Sequence, residues 1–452
     1  MNTANPLYLN LLKKIENKSA RITVIGLGYV GLPTALVLAN VGYSVVGLDI
    51  NNKIVNTVKD GKSPTNEPGL DELISNLIKD GRFNATTEYN KALENADIVI
   101  YIVNTPLDKT SKKANLTSLK QAIEMSSPYI RKGMLLIVGS TVPPKTTDAV
   151  VKKMIEERTN LKVGSDFWLA YCPERIAPGK AIKELTENDR LVGGVDEKST
   201  ELAYRLLKHM TKGTIIRTTA LTAEISKLAE NTFRDINIAF ANELALISEE
   251  LGADVMEVIR CANTHPRVNI HRPGNGVGGP CLTKDPYFLI NSIEQKNLPA
   301  DLIISSRKIN DFMPAHVVSI LEETLSEHNI KLENATIAVF GLTYKGDVDD
   351  LRESPALKIV ELLRERGVQL KLMDPYITEI YDQKVYSNAV DVARGADAII
   401  IATDHSLFRN LNFKQIIKVM KHPIILDSKR ILRVGDIKLL GIVYKGIGYT
   451  TE

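Results

Sequence analysis

The sequence predicts an α/β protein in which two doubly wound domains are joined by a long central helix. β-Branched apolar runs alternate with amphipathic stretches over residues 1–215, which is typical of a mostly parallel sheet. An apolar pattern with a helical period then continues from Thr222 to Leu251. The final third repeats the motif that opens the chain. We therefore predict three domains, at residues 1–215, 216–315 and 316–452.

The composition excludes several classes of protein. Of the 452 residues, 25% are charged and 44% are apolar, which is ordinary for a folded globular protein. The net charge of +3 argues against nucleic acid as the main partner. The three scattered cysteines form no disulfide framework, so we expect a reducing cytoplasm. Because no cysteines or histidines have ligand spacing, we expect no metal site, and no apolar run is long enough for a membrane span.

The first predicted strand leads into a glycine-rich turn with glycines at Gly26, Gly28 and Gly31. A helix follows, and the next strand ends at Asp49. In this context the first glycine makes the turn, the second admits a pyrophosphate, and the third lets helix and strand pack. A carboxylate at Asp49 can bind both ribose hydroxyls and would repel a 2′-phosphate. The pattern predicts a Rossmann-like domain that binds NAD rather than NADP.

Polar residues follow three of the later strands, at Thr105, Thr141 and Glu174. The predicted strands are Asp97–Val103, Met134–Gly139, Phe167–Tyr171, Arg190–Val195 and Thr214–Thr218. Ligands bind outside the carboxyl ends of strands in such sheets, so a functional role is expected for the three residues. Turn formation before a proline explains Thr141 equally well, and a solvated loop carboxylate explains Glu174.

The long helical stretch carries a polar stripe beside its apolar face. Lys227, Asn231 and Arg234 fall at helical spacing, so they share one side of the helix. A solvated face is the ordinary explanation, although Asn is a mediocre helix former, which favours a functional role. Because the helix is long for a globular protein, we expect it to bridge domains or to pair with a second subunit.

A glycine-rich stretch from Gly274 to Pro286 surrounds Cys281. Its glycines allow the backbone to approach a ligand closely. We predict a helix over Leu282–Ile290, whose N-terminus would favour the thiolate form of the cysteine. Lys284 and Asp285 follow within one turn and offer a cation and a base. The alternative is a buried, inert cysteine beside a tight turn.

The last third of the chain repeats the glycine turn at Gly341–Gly346. Thr343 replaces the middle glycine, and Lys345 and Arg352 add positive charge. These changes predict a second, smaller nucleotide-binding sheet that takes a phosphate-bearing ligand rather than a second NAD.

Eight motifs together resemble those of the nucleotide-sugar 6-dehydrogenases, the UDP-glucose/UDP-N-acetylmannosamine dehydrogenase family. In chain order they are GLGYVGLP, NTP, STVPP, CPER, SKLAENTFRD, HPRVN, GVGGPCLTKDP and GLTYKGDVDDLRESPA. The resemblance covers nearly the whole chain from Arg21 onwards. It implies a homodimer or higher homo-oligomer that oxidises the C6 hydroxymethyl group of a UDP-sugar to a carboxylate. The two oxidations would use NAD and pass through a thiohemiacetal and a thioester on Cys281.

The resemblance also implies the role of individual residues. The catalytic residues would be Cys281, Lys227, Asp285, Asn231, Glu174 and Thr141. The residues in contact with NAD would be Gly26, Gly28, Tyr29, Val30, Gly31, Asp49, Thr105, Thr141 and Arg352. The residues in contact with the UDP-sugar would be Arg175, Lys227, Asn231, Arg234, Gly276, Gly278, Tyr344 and Lys345, with Arg267 reaching the substrate of a neighbouring subunit.

Positions beside these motifs bear on the identity of the sugar. The triplet 177–179, Ala-Pro-Gly, and the HPRV motif resemble the UDP-N-acetylmannosamine branch, whereas Pro280 and Lys284 depart from it. The expected substrate is UDP-N-acetyl-D-mannosamine, followed by UDP-N-acetylglucosamine and then UDP-glucose. Two other classes remain as alternatives. A two-electron hydroxyacid dehydrogenase would need neither Cys281 nor the second nucleotide fold, and a sensor of NAD or nucleotide sugars would have lost catalysis.

Overall fold

A computed structural model describes residues 5–65, 67–177, 179–296 and 298–449. Pro178, one of the positions that bear on the sugar, lies outside the described residues. The chain divides into two compact units. The first comprises Met1–Glu230 and Tyr287–Lys296, and the second comprises Asn231–Pro286 and Asn297–Glu452. Within the described ranges, every helix is too short or too polar to cross a membrane.

The first unit is built on a sheet of eight strands among the described residues. They are β1 (Arg21–Ile25), β2 (Ser44–Leu48), β3 (Phe83–Thr86), β4 (Ile98–Tyr101), β5 (Leu135–Val138), β6 (Trp168–Tyr171), β7 (Arg190–Gly194) and β8 (Ile215–Thr219). The strand order is β3-β2-β1-β4-β5-β6-β7-β8, and neighbours are parallel except for β6 and β7. The order reverses between β1 and β4, and ligands bind in doubly wound sheets at such a switch point.

Helices cover both faces of this sheet. They are α1 (Pro6–Glu16), α2 (Gly31–Asn40), α3 (Asn52–Lys59), α4 (Leu70–Lys79), α5 (Tyr89–Leu93), α6 (Thr117–Ser126), a π-helical turn (Thr146–Lys152), α7 (Lys153–Thr159), α8 (Ala181–Glu187) and α9 (Glu197–Met210). The buried core therefore lies on both sides, with Val24 and Leu36 on one face and Tyr101 and Leu169 on the other. Burial on both faces explains why the strands read as continuous apolar runs.

The long central helix is α10 (Ala220–Leu251), which begins in the first unit and continues into the second. It starts two residues before the predicted Thr222. Thr219 caps it, because the Thr219 hydroxyl accepts a hydrogen bond from the backbone N–H of Thr222 at 3.1 Å.

The second unit contains a smaller parallel sheet of the same type, with strand order β10-β9-β13-β14-β15. The strands of this sheet are β9 (Thr336–Phe340), β10 (Gln369–Met373), β13 (Ala398–Ile401), β14 (Ile424–Asp427) and β15 (Val443–Gly446). A short antiparallel pair, β11 (Glu379–Ile380) and β12 (Gln383–Lys384), forms a separate sheet. The remaining helices are α11 (Val255–Ala262), α12 (Asp285–Ile293), α13 (Asp301–Glu327), α14 (Pro355–Glu365), α15 (Ala389–Ala393), α16 (Phe413–Ile417) and α17 (Val434–Lys438). The predicted fold class, two doubly wound Rossmann-like domains joined by a long helix, is confirmed.

Two predicted helix boundaries are wrong, both beside a proline. The helix expected from Leu282 begins at Asp285, because Pro286 has no N–H and fits the first turn of a helix. The sequence pattern predicts two helices here, Leu302–Asp311 and one from Pro314 to about His328, but they form one continuous helix, α13. Pro314 is buried inside it, next to buried Met313, so packing offsets a cost of about 3 kcal/mol for an internal proline.

Candidate active site

The glycine turn of the first unit lies at the carboxyl end of β1. Gly26 has a φ of +96°, which glycine adopts without strain. A Cβ atom added to Gly31 would lie 1.8 Å from the Gly26 carbonyl oxygen, so only glycine lets α2 start so close to β1. In contrast, a Cβ atom at Gly28 would meet no heavy atom within 4 Å. The open side at Gly28 fits the pyrophosphate of a dinucleotide.

Asp49 lies at the end of β2, and the backbone holds its carboxylate. Its Oδ2 accepts from the N–H of Leu27 at 2.8 Å and its Oδ1 from the N–H of Asn51 at 2.8 Å. Tyr29 and Val30 are half-buried in the turn itself. An acceptor fixed beside the glycine turn suits the ribose hydroxyls of NAD.

Thr105 and Thr141 meet at the same edge of the first sheet. The Thr105 hydroxyl donates to the Thr141 carbonyl oxygen at 2.6 Å. The Ser140 hydroxyl accepts from the Val103 N–H at 2.8 Å, which ties the loops after β4 and β5 together. The strand order therefore brings the two threonines together, as the sequence pattern predicted.

Glu174 and Arg175 follow β6, and each side chain is in an ion pair. Oε2 of Glu174 accepts from Arg190 at 2.7 Å, and Oε1 accepts from the backbone N–H of Arg175 at 2.8 Å. The Arg175 guanidinium pairs with Glu230 through two nitrogens, one of them Nε at 3.2 Å. Glu174 is therefore not a freely solvated loop carboxylate. Arg175 can bind a substrate only by sharing or leaving Glu230.

The three residues of the polar stripe on α10 differ in how deeply they are buried. Lys227 and Asn231 are buried, whereas Arg234 is exposed. A solvated face therefore does not explain the first two residues, since lysine is almost never fully buried without a partner or function. Lys227 belongs to the first unit and Asn231 to the second.

Asn231, Lys284 and Asp285 form a polar cluster close to the cysteine. Asp285 is fully buried, its Oδ1 lies 2.6 Å from the Lys284 Nζ, and its Oδ2 accepts from the Asn231 amide at 2.6 Å. Cys281 is exposed, and its carbonyl oxygen accepts from the N–H of Asp285 at 2.9 Å. The alternative of a buried cysteine therefore does not hold, and a thiol lies within one turn of a carboxylate and a cation.

The glycines before this cysteine let the loop pack closely on its own unit. A Cβ atom at Gly276 would lie 2.7 Å from the Asn310 carbonyl oxygen of α13. At Gly279 an added Cβ would lie 2.7 Å from the ring of Tyr344. Packing thus explains the missing side chains. Contact between the substrate and the backbone of Gly276 and Gly278 stays a prediction.

A chain of buried side chains holds the start of the same loop. Asp235 pairs with Arg307 at 2.6 Å and accepts from the Asn310 amide at 2.8 Å. Asn310 accepts from Asn242 at 2.9 Å, and Asn242 accepts from the N–H of Gly274 at 2.8 Å. Desolvation raises the pKa of Asp235, and the Arg307 charge opposes that shift. The loop position therefore depends on an ion pair between α10 and α13.

The second sheet repeats the carboxylate of the first, but a histidine covers it. Asp374 follows β10 as Asp49 follows β2, and its Oδ2 accepts from the N–H of Leu342 at 2.7 Å. Nε2 of buried His405 lies 3.2 Å from that oxygen. Because Nδ1 of His405 accepts from the N–H of Asp347 at 2.9 Å, the neutral ring carries its proton on Nε2 and donates to Asp374. The imidazole therefore stands where a ribose would need to bind.

Tyrosine, lysine and arginine residues expected around the ligands differ in their surroundings. Tyr344 is half-buried, and Lys345 and Arg267 are exposed. Arg352, expected to contact NAD, belongs to the second unit, and its guanidinium donates to Asp350 at 2.6 Å. The roles of these four predicted residues stay predictions.

Three regions of the chain match the three domains of one protein family. Residues 20–211 match the NAD binding domain of the UDP-glucose/GDP-mannose dehydrogenase family, residues 221–312 its central domain, and residues 338–434 its UDP binding domain. The chain belongs to this family. The predicted resemblance and the predicted cofactor, NAD, are thereby confirmed for this dehydrogenase.

Individual proteins similar to this dehydrogenase agree with that assignment. A UDP-N-acetyl-D-mannosamine dehydrogenase of Pyrococcus horikoshii is 43% identical over 428 residues, which is 95% of this chain and 99% of the relative. One from Methanocaldococcus jannaschii is 44% identical over 429 residues, which is 93% of this chain and 95% of the relative. A solved structure of the UDP-D-ManNAc dehydrogenase from Pyrococcus horikoshii matches with a TM-score of 0.88 at 42% identity, covering 95% and 99% of the two chains.

Several residues in these clusters had no predicted role. Arg190 opens a strand outside the eight motifs, and Glu230 lies inside the SKLAENTFRD motif, directly before Asn231. His405 has no signal in the sequence that points to Asp374. Lys284 was expected to offer a cation beside Asp285, but it was not among the predicted catalytic residues.

Proposed function

We propose that this dehydrogenase oxidises the C6 hydroxymethyl group of UDP-N-acetyl-D-mannosamine to the carboxylate of UDP-N-acetyl-D-mannosaminuronate. The observation that carries this proposal is the exposed thiol of Cys281 beside the buried Asp285–Lys284–Asn231 cluster. A two-electron alcohol dehydrogenase has no use for a nucleophilic thiol, whereas a four-electron oxidation requires a way to oxidise an aldehyde. For each alcohol group, two NAD and one water give one carboxylate, two NADH and three protons.

The residues of the chain have separate roles in this scheme. NAD, when bound at the Gly26–Gly31 turn, accepts the hydride in each oxidation. The Cys281 thiolate adds to the aldehyde carbon, and the resulting thiohemiacetal loses a hydride to become a thioester. Water then bonds to the acyl carbon, the C–S bond breaks, the thiolate leaves, and the water proton passes to a base.

Charged and polar groups support these steps. Lys227 stabilises the oxyanions that form at the reacting carbon. Asp285 acts as base or orients the water, with Asn231 as its hydrogen-bond donor. Glu174 and Thr141 position the water that releases the acid. Arg175, Arg234, Tyr344, Lys345, Arg267, Gly276 and Gly278 would bind the UDP-sugar, and Tyr29, Val30, Asp49, Thr105 and Arg352 would bind NAD.

The choice of sugar rests on similarity over nearly the full length to proteins named UDP-N-acetyl-D-mannosamine dehydrogenase. UDP-N-acetylglucosamine and UDP-glucose are the alternatives. The decisive experiment measures NADH released from a panel of these three UDP-sugars. Two NADH per sugar are expected, with the highest kcat/KM for the mannosamine derivative. One NADH per sugar would refute the four-electron reaction, and no NADH from any sugar would favour a silent binding protein.

Two cysteine variants test the nucleophile. Cys281→Ser should keep NAD binding but lower uronate formation by about 10³-fold or more, because an alkoxide leaving group makes a poor substitute for a thiolate. Cys261→Ser is the matched control, since Cys261 is also an exposed cysteine. Turnover by C281S at the rate of the control would refute the assignment of Cys281 as the nucleophile.

We also propose that the enzyme is a homodimer or higher homo-oligomer in the cytoplasm. The support is an apolar stripe at a seven-residue spacing on α10, where Phe233, Phe240 and Ile247 are 62%, 48% and 49% exposed. Burying such a stripe against a second copy is favourable at roughly 25 cal/mol per Å². Light scattering should give at least twice the chain mass, and F240E should dissociate it. A monomeric wild-type protein would contradict the proposal.

The division into domains at 1–215, 216–315 and 316–452 stays a prediction.

A further inference from the structure

Arg190 is a buried cation whose hydrogen-bonding groups are only partly used. It opens β7, and its side chain is 7% exposed. One terminal nitrogen donates to the Glu174 carboxylate at 2.7 Å. The Nε–H is buried as well, and the residues that the structure describes provide no acceptor for it. A buried donor without an acceptor is costly, so a molecule that supplies one would be bound.

Arg190 also lines a small cavity. Its volume is about 20 Å³, above the roughly 10–15 Å³ that one water needs. Its lining is mainly aliphatic, but four residues with polar side chains contribute, namely Thr34, Cys172, Glu174 and Arg190. A dry cavity would be wholly apolar, whereas a buried water typically has two to four polar partners. The cavity therefore has the size and the polar groups for a single water.

We propose that one water occupies this cavity as acceptor from Arg190 Nε, and that Arg190 is a positioning residue for Glu174. Arg190, itself fixed by the water, donates to one oxygen of the Glu174 carboxylate, and the Arg175 backbone N–H donates to the other oxygen at 2.8 Å. The carboxylate is thus fixed in one orientation. The positioning role rests on the proposed function, in which Glu174 orients the water that hydrolyses the thioester. The buried water does not rest on it.

The same surroundings make Cys172 an unreactive neighbour. Burial raises the pKa of its thiol to about 12, with the Arg190 charge opposing that effect. At neutral pH the thiol is therefore uncharged and serves as a weak hydrogen-bond partner for the cavity. No second nucleophile competes at this position.

The water site is tested by crystallography of the unliganded enzyme at a resolution that shows ordered waters. Electron density for a water at hydrogen-bonding distance from Arg190 Nε is expected. An empty cavity, or a protein oxygen bonded to Nε, would overturn the proposal. This test needs no catalytic activity, so it stands even if the UDP-sugar panel disproves the reaction.

The positioning role is tested with Arg190→Met, which keeps the side-chain length and removes every donor. We expect kcat for uronate formation to fall about tenfold or more, with KM and the Kd for NAD nearly unchanged. Intact-protein mass spectrometry during turnover should show the UDP-uronyl thioester accumulating on Cys281. The control is R158M, which removes an exposed arginine paired with Glu124.

The possible results separate a positioning role from a structural one. A fall in kcat without acyl-enzyme would mean that Arg190 only maintains the fold, and wild-type kcat would mean that it does not act on Glu174. If R190M is unstable, R190K retains a cation beside Glu174 and carries the test. It should accumulate more acyl-enzyme than the wild type, and equal levels in R190K and wild type would overturn the role.

Discussion

The glycine turn at the end of β1 allows two neighbouring glycines to be tested against each other. In Gly28→Ala the new methyl group meets no heavy atom within 4 Å, and Gly28 does not have a positive φ. The unfolding free energy of this variant should therefore change by no more than about 1 kcal/mol, since alanine also restricts the unfolded chain. In Gly31→Ala the methyl carbon would lie 1.8 Å from the Gly26 carbonyl oxygen. Normal contact between such atoms is about 3.5 Å, so the backbone must move, at a cost of about 3 kcal/mol or more.

Cofactor binding should respond differently. The methyl group of G28A fills the space proposed for the pyrophosphate, so we expect the Kd for NAD to rise about tenfold, or about 1.4 kcal/mol. At an NAD concentration about 100 times the wild-type Kd, NAD should stabilise the wild type by about 2.7 kcal/mol and G28A by about 1.4 kcal/mol. The assay is denaturant unfolding with and without NAD, with calorimetric Kd values as a check. Wild-type NAD affinity in G28A, or wild-type stability in G31A, would refute the assignment of the turn.

Three further predictions concern titratable groups. Asp285→Asn removes the buried carboxylate that pairs with Lys284, so it should lower stability by about 3 kcal/mol and kcat by about 10²-fold or more, as measured by unfolding and by NADH release. Iodoacetamide at pH 8 should label the two exposed cysteines, including Cys281, but not Cys172, because burial raises the pKa of the Cys172 thiol to about 12. Peptide mass spectrometry that finds Cys172 alkylated would contradict this prediction. Burial lowers the pKa of His209 in the folded protein below its value of about 6.5 in the unfolded chain. As pH falls below about 6.5, the unfolded chain therefore binds a proton before the folded protein does. The stability that is present above that pH is then lost on acidification. His209→Gln should lose less stability between pH 7.5 and 5.5, and an unchanged slope would count against it.

Local patterns in the sequence were enough to predict the fold, because each doubly wound sheet is built from consecutive strand–helix units. The turn at Gly26–Gly31 follows from a strand, three glycines and a helix that are adjacent in the chain. The wrong boundary at Pro314 arose because tertiary packing overrides local preference. Pro314 would end an isolated helix, yet Met313 before it and Val317 after it are buried in the core of the second unit.

The candidate site was predictable only where its residues share a motif. Cys281, Lys284 and Asp285 lie within five positions, so their proximity is a property of the chain. The pairs Arg190–Glu174 and Asp235–Arg307 join residues far apart in sequence, and strand order or helix packing brings them together. Nothing in a single sequence specifies which of the many charged residues meet in this way.

The imidazole of His405 has a kinetic consequence. Among the described residues, Asp49 keeps an accessible position beside a glycine turn, whereas Asp374 is occupied by the histidine. With one such carboxylate open among the described residues, each chain would carry one dinucleotide at a time, although the proposed reaction removes two hydrides. NADH must be exchanged for NAD after the first oxidation, while the aldehyde-level intermediate stays in the site. A covalent bond to Cys281 would act as a tether during that exchange and prevent escape of a reactive aldehyde.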